Sequence, residues 1–254
     1  LLNEIISIVT SAGDIILEAQ HIKDHVESKQ GQANFVTKYD VEVQEFLYRE
    51  LAAVLPEASF MGEEDEVKNH QINKGYCFII DPIDGTTNFI FDYKHSCISV
   101  ALMLQGEIIL GVVYNPYLKE LFTAEKDKGA FLNGKQLFIK ELALEDGVVS
   151  IGTAPYYREK ADETFRIARL VYDKALDLRR SGSAALDICY VAAGRIVLYY
   201  ELLLSPWDYA AGSLILTEAG GKIRTMDGNL LTFEHPISIL AGNHTTVQQY
   251  FELI

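Results

Sequence analysis

A chain of 254 residues with 49% hydrophobic side chains is long enough for one large core or two closely packed lobes. Its 36 acidic residues against 22 basic ones leave a net charge of −14, which argues against a nucleic-acid backbone as direct partner, since that binding needs a basic footprint. The three cysteines, Cys77, Cys97 and Cys189, show no Cys-x-x-Cys spacing and are expected as buried free thiols of a reducing, cytoplasmic compartment.

Leu2, Ile5, Ile6, Val9, Ala12, Ile16 and Ala19 recur at helical spacing and predict a first helix. Glu4, Ser7, Thr10 and Asp14 interrupt its apolar run, so it reads as amphipathic, neither a signal peptide nor a membrane span. The sequence opens on Leu1 rather than methionine and is read as lacking a few residues at its start. Residues 34–37 form a short extended segment. A second helix carries Val43, Phe46, Leu47, Leu51, Val54 and Leu55 inward, starts near Asp40 and stops at Pro56. The polar stretch 68–75 is expected as a mobile loop. Strands follow at 76–80, 96–104, 108–114, 120–125 and 130–132, punctuated by Gln105-Gly106, Asp127-Lys128-Gly129 and Asn133-Gly134. From about Val148 the pattern changes to alternating strand and helix. Helices are predicted at 162–172, 184–193, 208–219 and 245–253, and strands at 174–179, 196–200, 221–225 and 237–241. Two lobes, about 1–145 and 146–254, form one catalytic unit, with an antiparallel sheet in the first and an α/β sheet in the second.

The chemistry concentrates in Asp81-Pro82-Ile83-Asp84-Gly85-Thr86-Thr87-Asn88. It ends a buried strand in two carboxylates, which are costly away from water unless something pairs with them. A hard divalent cation such as Mg²⁺ takes oxygen ligands of this kind and keeps positions for substrate phosphate oxygens. Gly85 lets the backbone approach a ligand, and the amides and hydroxyls of Thr86 and Thr87 suit an anion. Alone, Asp-x-x-Asp is more often an acidic turn, and Asp208 more often a helix N-cap. Two further acidic sites accompany it, Met61-Gly62-Glu63-Glu64-Asp65-Glu66 upstream and Pro206-Trp207-Asp208-Tyr209-Ala210-Ala211-Gly212 downstream.

Together these three motifs resemble the signature of the inositol monophosphatase family, in the Mg²⁺-dependent, lithium-sensitive phosphatase superfamily. All three are intact and in order, and the resemblance runs from Lys29 to the C-terminal helix. It implies a layered α/β/α/β/α sandwich and hydrolysis of inositol monophosphate to inositol and phosphate by metal-activated water. It implies two or three Mg²⁺ per site, a homodimer, a small phosphorylated sugar, polyol or nucleotide as substrate, and no membrane partner. By the same resemblance, Glu63, Asp81 and the Ile83 carbonyl hold one ion, and Asp81, Asp84 and Asp208 a second. Glu63 reaches a weaker third, and Glu64 supports this set. Thr86 and Asp40, the aspartate closing Val36-Thr37-Lys38-Tyr39-Asp40, orient and deprotonate the attacking water. The amides of Gly85 and Thr86 hold the phosphate.

Substrate residues are less distinctive. Glu201 lies seven residues before Asp208, the offset of the family's inositol-binding glutamate, and a carboxylate there accepts polyol hydroxyls. The alternative for Glu201 is an exposed charge at a strand end. Gly182, Ser183 and Ala184 resemble the sugar-facing helix start, and Gly152-Thr153 another substrate-side loop. Arg179-Arg180 offers one arginine more than the usual pattern, for an additional phosphate or for solvent. Related enzymes acting on the 2′-phosphate of NADP(H), fructose 1,6-bisphosphate or 3′-phosphoadenosine 5′-phosphate share these features. A non-catalytic phosphosugar sensor would have lost a metal carboxylate or the threonine; Glu63, Asp81, Asp84, Asp208 and Thr86 are all present. His21 and His25 lack the partners of a zinc site, Ser181-Gly182-Ser183 lacks the context of a nucleophile elbow, and no Gly-x-x-x-x-Gly-Lys-Ser/Thr loop occurs.

Overall fold

The computed structural model describes residues 1–29, 35–65 and 74–254. The first helix, α1 (Leu2–Glu18), buries Ile5, Val9, Ala12 and Ile16 along one stripe. A 3-10 turn at Ile22–His25 leads to β1 (Val26–Ser28), which pairs antiparallel with β2 (Phe35–Thr37). Thr37 then caps α2 (Lys38–Val54). Its Oγ1 accepts the Tyr39 N–H at 3.1 Å, and Asp40 accepts the Thr37 N–H at 2.7 Å. Asp40 is therefore the third helical residue of a capping box, not the N-cap itself.

β3 (Ser59–Gly62) runs parallel to β4 (Tyr76–Asp84). β4 continues four residues past the apolar run, and its pairing slips register between Asp81 and Asp84. Pro82, which has no N–H to give a ladder, falls inside that irregularity. Gly85, at φ 91°, turns the chain into the single-turn helix α3 (Thr86–Ile90). An antiparallel meander follows: β5 (Cys97–Leu104), β6 (Glu107–Asn115), β7 (Glu120–Glu125), β8 (Ala130–Leu132) and β9 (Lys135–Gln136). Strands β3 to β9 make one seven-stranded sheet in sequence order.

The rest of the chain gives β10 (Val148–Ile151), α4 (Ala161–Tyr172), β11 (Asp177–Arg179), α5 (Ala184–Ala192) and β12 (Leu198–Leu204). It ends with α6 (Pro206–Glu218), β13 (Lys222–Arg224), β14 (Ile237–Gly242) and α7 (His244–Leu253). The second sheet has the order β11-β10-β12-β14-β13. β10 is parallel to β11 and β12, whereas β14 is antiparallel to β12 and β13. Two strands are misplaced by the sequence. The one expected at 174–179 is only Asp177–Arg179, because the Lys174 and Ala175 amides still bond to Val171 at the end of α4. The one expected at 196–200 is Leu198–Leu204, because the Arg195 and Ile196 amides fold back onto Tyr190.

Five layers result. α1 and α2 cover the outer face of the first sheet, where Phe78, Ile80, Ile98, Val100 and Leu102 meet Val43, Leu47 and Val9. The opposite face, through Cys77, Ile79, Ala101 and Met103, packs on α5 and α6, which also meet Tyr199, Ile239 and Ala241 of the second sheet. α4 and α7 close the outside over Val149, Leu198, Tyr200 and Leu240. Successive residues of β4, β5 and β12 thus face two different cores, which is why these strands read as unbroken apolar runs. Gly111 lets α6 approach, since a Cβ there would stand 2.7 Å from the Ala211 carbonyl. This is the α/β/α/β/α sandwich the motifs imply, and its three cysteines are buried and free. No helix among the described residues is long and apolar enough to cross a membrane. Most of the loop expected at 68–75, with Asn34 and Glu66, lies outside the described residues.

Candidate active site

The end of β4, the start of α6 and the start of α5 converge on one cavity of about 370 Å³. Carboxylate oxygens of Asp81, Asp84 and Asp208 lie within 4.8 Å of one another there. On a regular strand, Asp81 and Asp84 would point to opposite faces; the register slip between them allows both to reach the same cavity. Asp81 Oδ1 accepts the Ile83 N–H at 3.0 Å. Asp84 Oδ2 accepts the Ser183 hydroxyl and the Ala185 N–H, the latter at 2.8 Å. Asp208 sits one turn inside α6, where it accepts the Ser205 N–H at 2.7 Å; Ser205, not Asp208, is the N-cap.

Glu63 and Glu64 follow β3 and line the same cavity, although Glu63 stands outside the 4.8 Å cluster. Its amide donates to the Ile80 carbonyl at 3.2 Å, which ties it to β4. Lys29 Nζ lies 3.4 Å from Glu63 Oε1 and 2.6 Å from Glu64 Oε1. Burial, followed by the neighbouring carboxylates, pushes the acids of Asp81 and Asp208 well up, and burial also raises those of Asp84 and Glu63. Burial opposes the Lys29 charge, but Glu63 and Glu64 more than offset it. A cation would reverse this strain on the carboxylates. The donors are all oxygens, the chemistry of a hard divalent ion, so the acidic cluster fits a metal centre.

Thr86 Oγ1 lies 3.2 Å from Asp40 Oδ1 and 3.2 Å from the Ile83 carbonyl. Asp40 is completely buried behind it, with Oδ2 held by the Thr37 amide and hydroxyl. Burial raises its acid to about 6, against the opposing hydrogen bonds from Thr37. Gly85 is closely packed; a Cβ there would stand 3.1 Å from the carbonyls of Gly182 and His95. Asn88 fastens the two loops, donating to His95 O at 2.7 Å and Ser181 O at 2.9 Å.

The far wall holds Glu201, Gly182, Ser183 and Ala184. Glu201 is buried, not an exposed strand-end charge, because β12 runs on through it to Leu204. Its Oε1 accepts the Ala154 N–H at 2.7 Å and its Oε2 the Tyr199 hydroxyl at 2.6 Å. Burial raises its acid, offset in part by those two bonds and by Arg180. Thr153 is absent from the cavity wall; its neighbours Gly152 and Ala154 line it instead. Arg180 lines the cavity, whereas exposed Arg179 turns away to pair with Asp177. Lys29, Tyr199 and Asp187 also line the cavity, and none of them belongs to a motif that marks a site. Asp187, in the first turn of α5, is buried and accepts the Ser181 hydroxyl at 2.6 Å.

The profile of the inositol monophosphatase family matches residues 1–253. The chain is 37% identical to an inositol-1-monophosphatase of Rhizobium meliloti, covering 100% of this chain and 96% of that protein. Its structure is similar to the extragenic suppressor protein suhB of Bartonella henselae, with a TM-score of 0.89 and 33% identity over 99% of this chain and 96% of that one. It is also similar to SaIMPase-II bound to inositol monophosphate, with a TM-score of 0.83 and 27% identity over 97% and 90% of the two chains. The same SaIMPase-II with 2′AMP bound matches at a TM-score of 0.83 and 28% identity, over 96% and 89%. The acidic cluster at the end of β4 therefore stands in a chain that belongs to the inositol monophosphatase family, enzymes that hydrolyse phosphomonoesters.

Proposed function

We propose that this chain is a Mg²⁺-dependent phosphomonoesterase acting on inositol monophosphate. The observation that carries the reading is the meeting of Asp81, Asp84 and Asp208 within 4.8 Å, beside the Thr86–Asp40 pair. Two or three Mg²⁺ would be held by these carboxylates, Glu63 and the Ile83 carbonyl. When bound, such ions polarise phosphate oxygens and acidify water. The chain's own residues do the rest. Thr86 Oγ1 orients a water and relays its proton to Asp40, whose burial makes it more basic than an ordinary aspartate. The amides of Gly85 and Thr86 hold the phosphate, and Glu64 pairs Lys29 beside Glu63. Glu201, fixed by Tyr199 and Ala154, accepts a hydroxyl of the alcohol. The two halves of the chain act as one catalytic unit and the protein as a homodimer.

A second reading is a 2′-phosphorylated nucleotide as substrate. It is supported by the 2′AMP held by the similar SaIMPase-II and by Arg180 on the cavity wall, placed for a second anionic group. Phosphate release from myo-inositol 1-phosphate, NADP⁺, fructose 1,6-bisphosphate and 3′-phosphoadenosine 5′-phosphate, each with Mg²⁺ and with chelator, tests both. Preference for the inositol ester supports the first reading and preference for a nucleotide the second. No metal-dependent release from any of them removes both.

A further inference from the structure

One face of α2 reaches two separate parts of the site. Asp40, Gln44 and Tyr48 are spaced four apart and so lie along one stripe. Asp40 meets Thr86. One turn on, Gln44 is buried and uses both ends of its amide: Oε1 accepts the Glu64 N–H at 3.1 Å, and Nε2 donates to Asp65 Oδ1 at 3.2 Å. Another turn on, the Tyr48 hydroxyl donates to the Asp65 carboxylate at 2.8 Å. Asp65 in turn accepts the Gly62 N–H at 2.8 Å. The backbone on both sides of Glu63 is thus hydrogen-bonded into a cluster anchored on α2, while the Glu63 side chain enters the cavity.

Gly62 reports how close this contact is. A Cβ there would overlap Gln44 Oε1 and Tyr48 Oη and stand 2.6 Å from Gln44 Cδ. The glycine of Gly62-Glu63-Glu64 is required by space, not by an unusual backbone angle. Burial and the Asp65 carboxylate push the Tyr48 phenol up, so it stays a donor.

We propose that Gln44 and Tyr48 are positioning residues that hold the Glu63 turn through Asp65 and Glu64, so that one helix sets the place of Glu63 relative to the Asp40–Thr86 pair. Neither touches the reacting groups; each acts on where Glu63 stands. The inference rests on Glu63 being a metal ligand.

The test is Mg²⁺ binding to the substrate-free full chain by titration calorimetry, followed also by emission of the single tryptophan, Trp207, on the cavity wall. Gln44→Glu keeps the acceptor for Glu64 but sets a carboxylate against Asp65. It should weaken Mg²⁺ binding by about tenfold or more, as loss of a residue that orients a ligand does. Adding Asp65→Asn restores a donor–acceptor pair at the wild-type net charge and should return affinity to within about twofold. Tyr48→Phe, which removes one hydroxyl, should weaken binding by a smaller factor and decides the matter alone if Gln44→Glu does not fold. Wild-type affinity in both single variants overturns the proposal. So does a loss confined to the melting temperature in chelator, or failure of Asp65→Asn to restore binding. Glu63→Gln separates the two levels: if it too binds Mg²⁺ like wild type, the reading of Glu63 as ligand has failed, not the placement by α2.

Discussion

The Thr86 hydroxyl and the Asp40 carboxylate meet at 3.2 Å across 46 residues of sequence. Asp40 spends its other oxygen on the Thr37 cap. One carboxylate therefore both starts α2 and faces the threonine proposed to relay a proton. These roles separate in a double-mutant cycle on kcat. Acting as a relay, Asp40→Asn, Thr86→Ala and the double variant should lose similar activity, because the second change has little left to remove. Multiplicative losses would show independent roles, and an Asp40→Asn variant with near-native kcat would leave only the cap, worth ~1 kcal/mol.

Asp84→Asn removes one charge from the cluster at nearly constant size. Turnover should fall at least about a hundredfold, roughly 2.7 kcal/mol of barrier, while far-UV circular dichroism stays native. A near-native rate at saturating Mg²⁺ contradicts the assignment of this site.

Asp81 carries a prediction for stability as well as activity. Its acid is raised by burial and then by Glu63, Asp84 and Asp208. Asp81→Asn should therefore raise the melting temperature in chelator at pH 8 while abolishing most activity. A lower melting temperature would mean that the Asp81–Ile83 hydrogen bond outweighs the repulsion.

Glu201→Ala should reduce kcat/KM for inositol phosphate more than for a phenolic phosphate ester without hydroxyls. Gly152→Ala should mimic it, because a Cβ at 152 would overlap the Glu201 carboxylate. Equal losses on both esters would assign Glu201 to structure or metal.

Asp187 supplies a pH dependence. Burial raises its acid to about 7. A raised folded-state value favours the protonated form, so the stability it contributes is complete below the ordinary aspartate range and is lost as pH rises from there through about 7. In chelator, Asp187→Asn should melt above wild type at pH 8, by less at pH 5, and converge with it only below the ordinary aspartate range. Parallel curves at both pH values would show that Asp187 does not titrate in this window.

The acidic cluster was legible because its motifs are local: Asp81, Asp84 and Asp208 each sit at the end of an apolar run or the start of a helix. Gly62 was legible as a motif letter but not as a consequence, since its need for space comes from side chains of α2. Lys29 and Asp187 were unreadable for a related reason. Each is an unremarkable charge in its own segment; Lys29 joins the cavity only when β3 carries Glu63 to it, and Asp187 only when α5 turns it inward beside the Ser181 hydroxyl. The Glu201 strand was misplaced because Arg195 and Ile196 have strand-like neighbours but bond back to Tyr190. Local pattern cannot see a helix end that keeps two more amides.

The slip of register in β4 has a consequence for how this sequence can change. Asp81 and Asp84 are an odd number of residues apart and yet converge, so their common direction belongs to the irregular backbone between them and not to either side chain. Straightening that backbone without changing its length would turn one carboxylate out of the cavity, although every acidic residue would still be present. The residues between the two aspartates therefore matter for the bend they allow, and Pro82, which gives the ladder no N–H, favours keeping it. Counting acids in a chain without that bend would overstate the acidic cluster that survives.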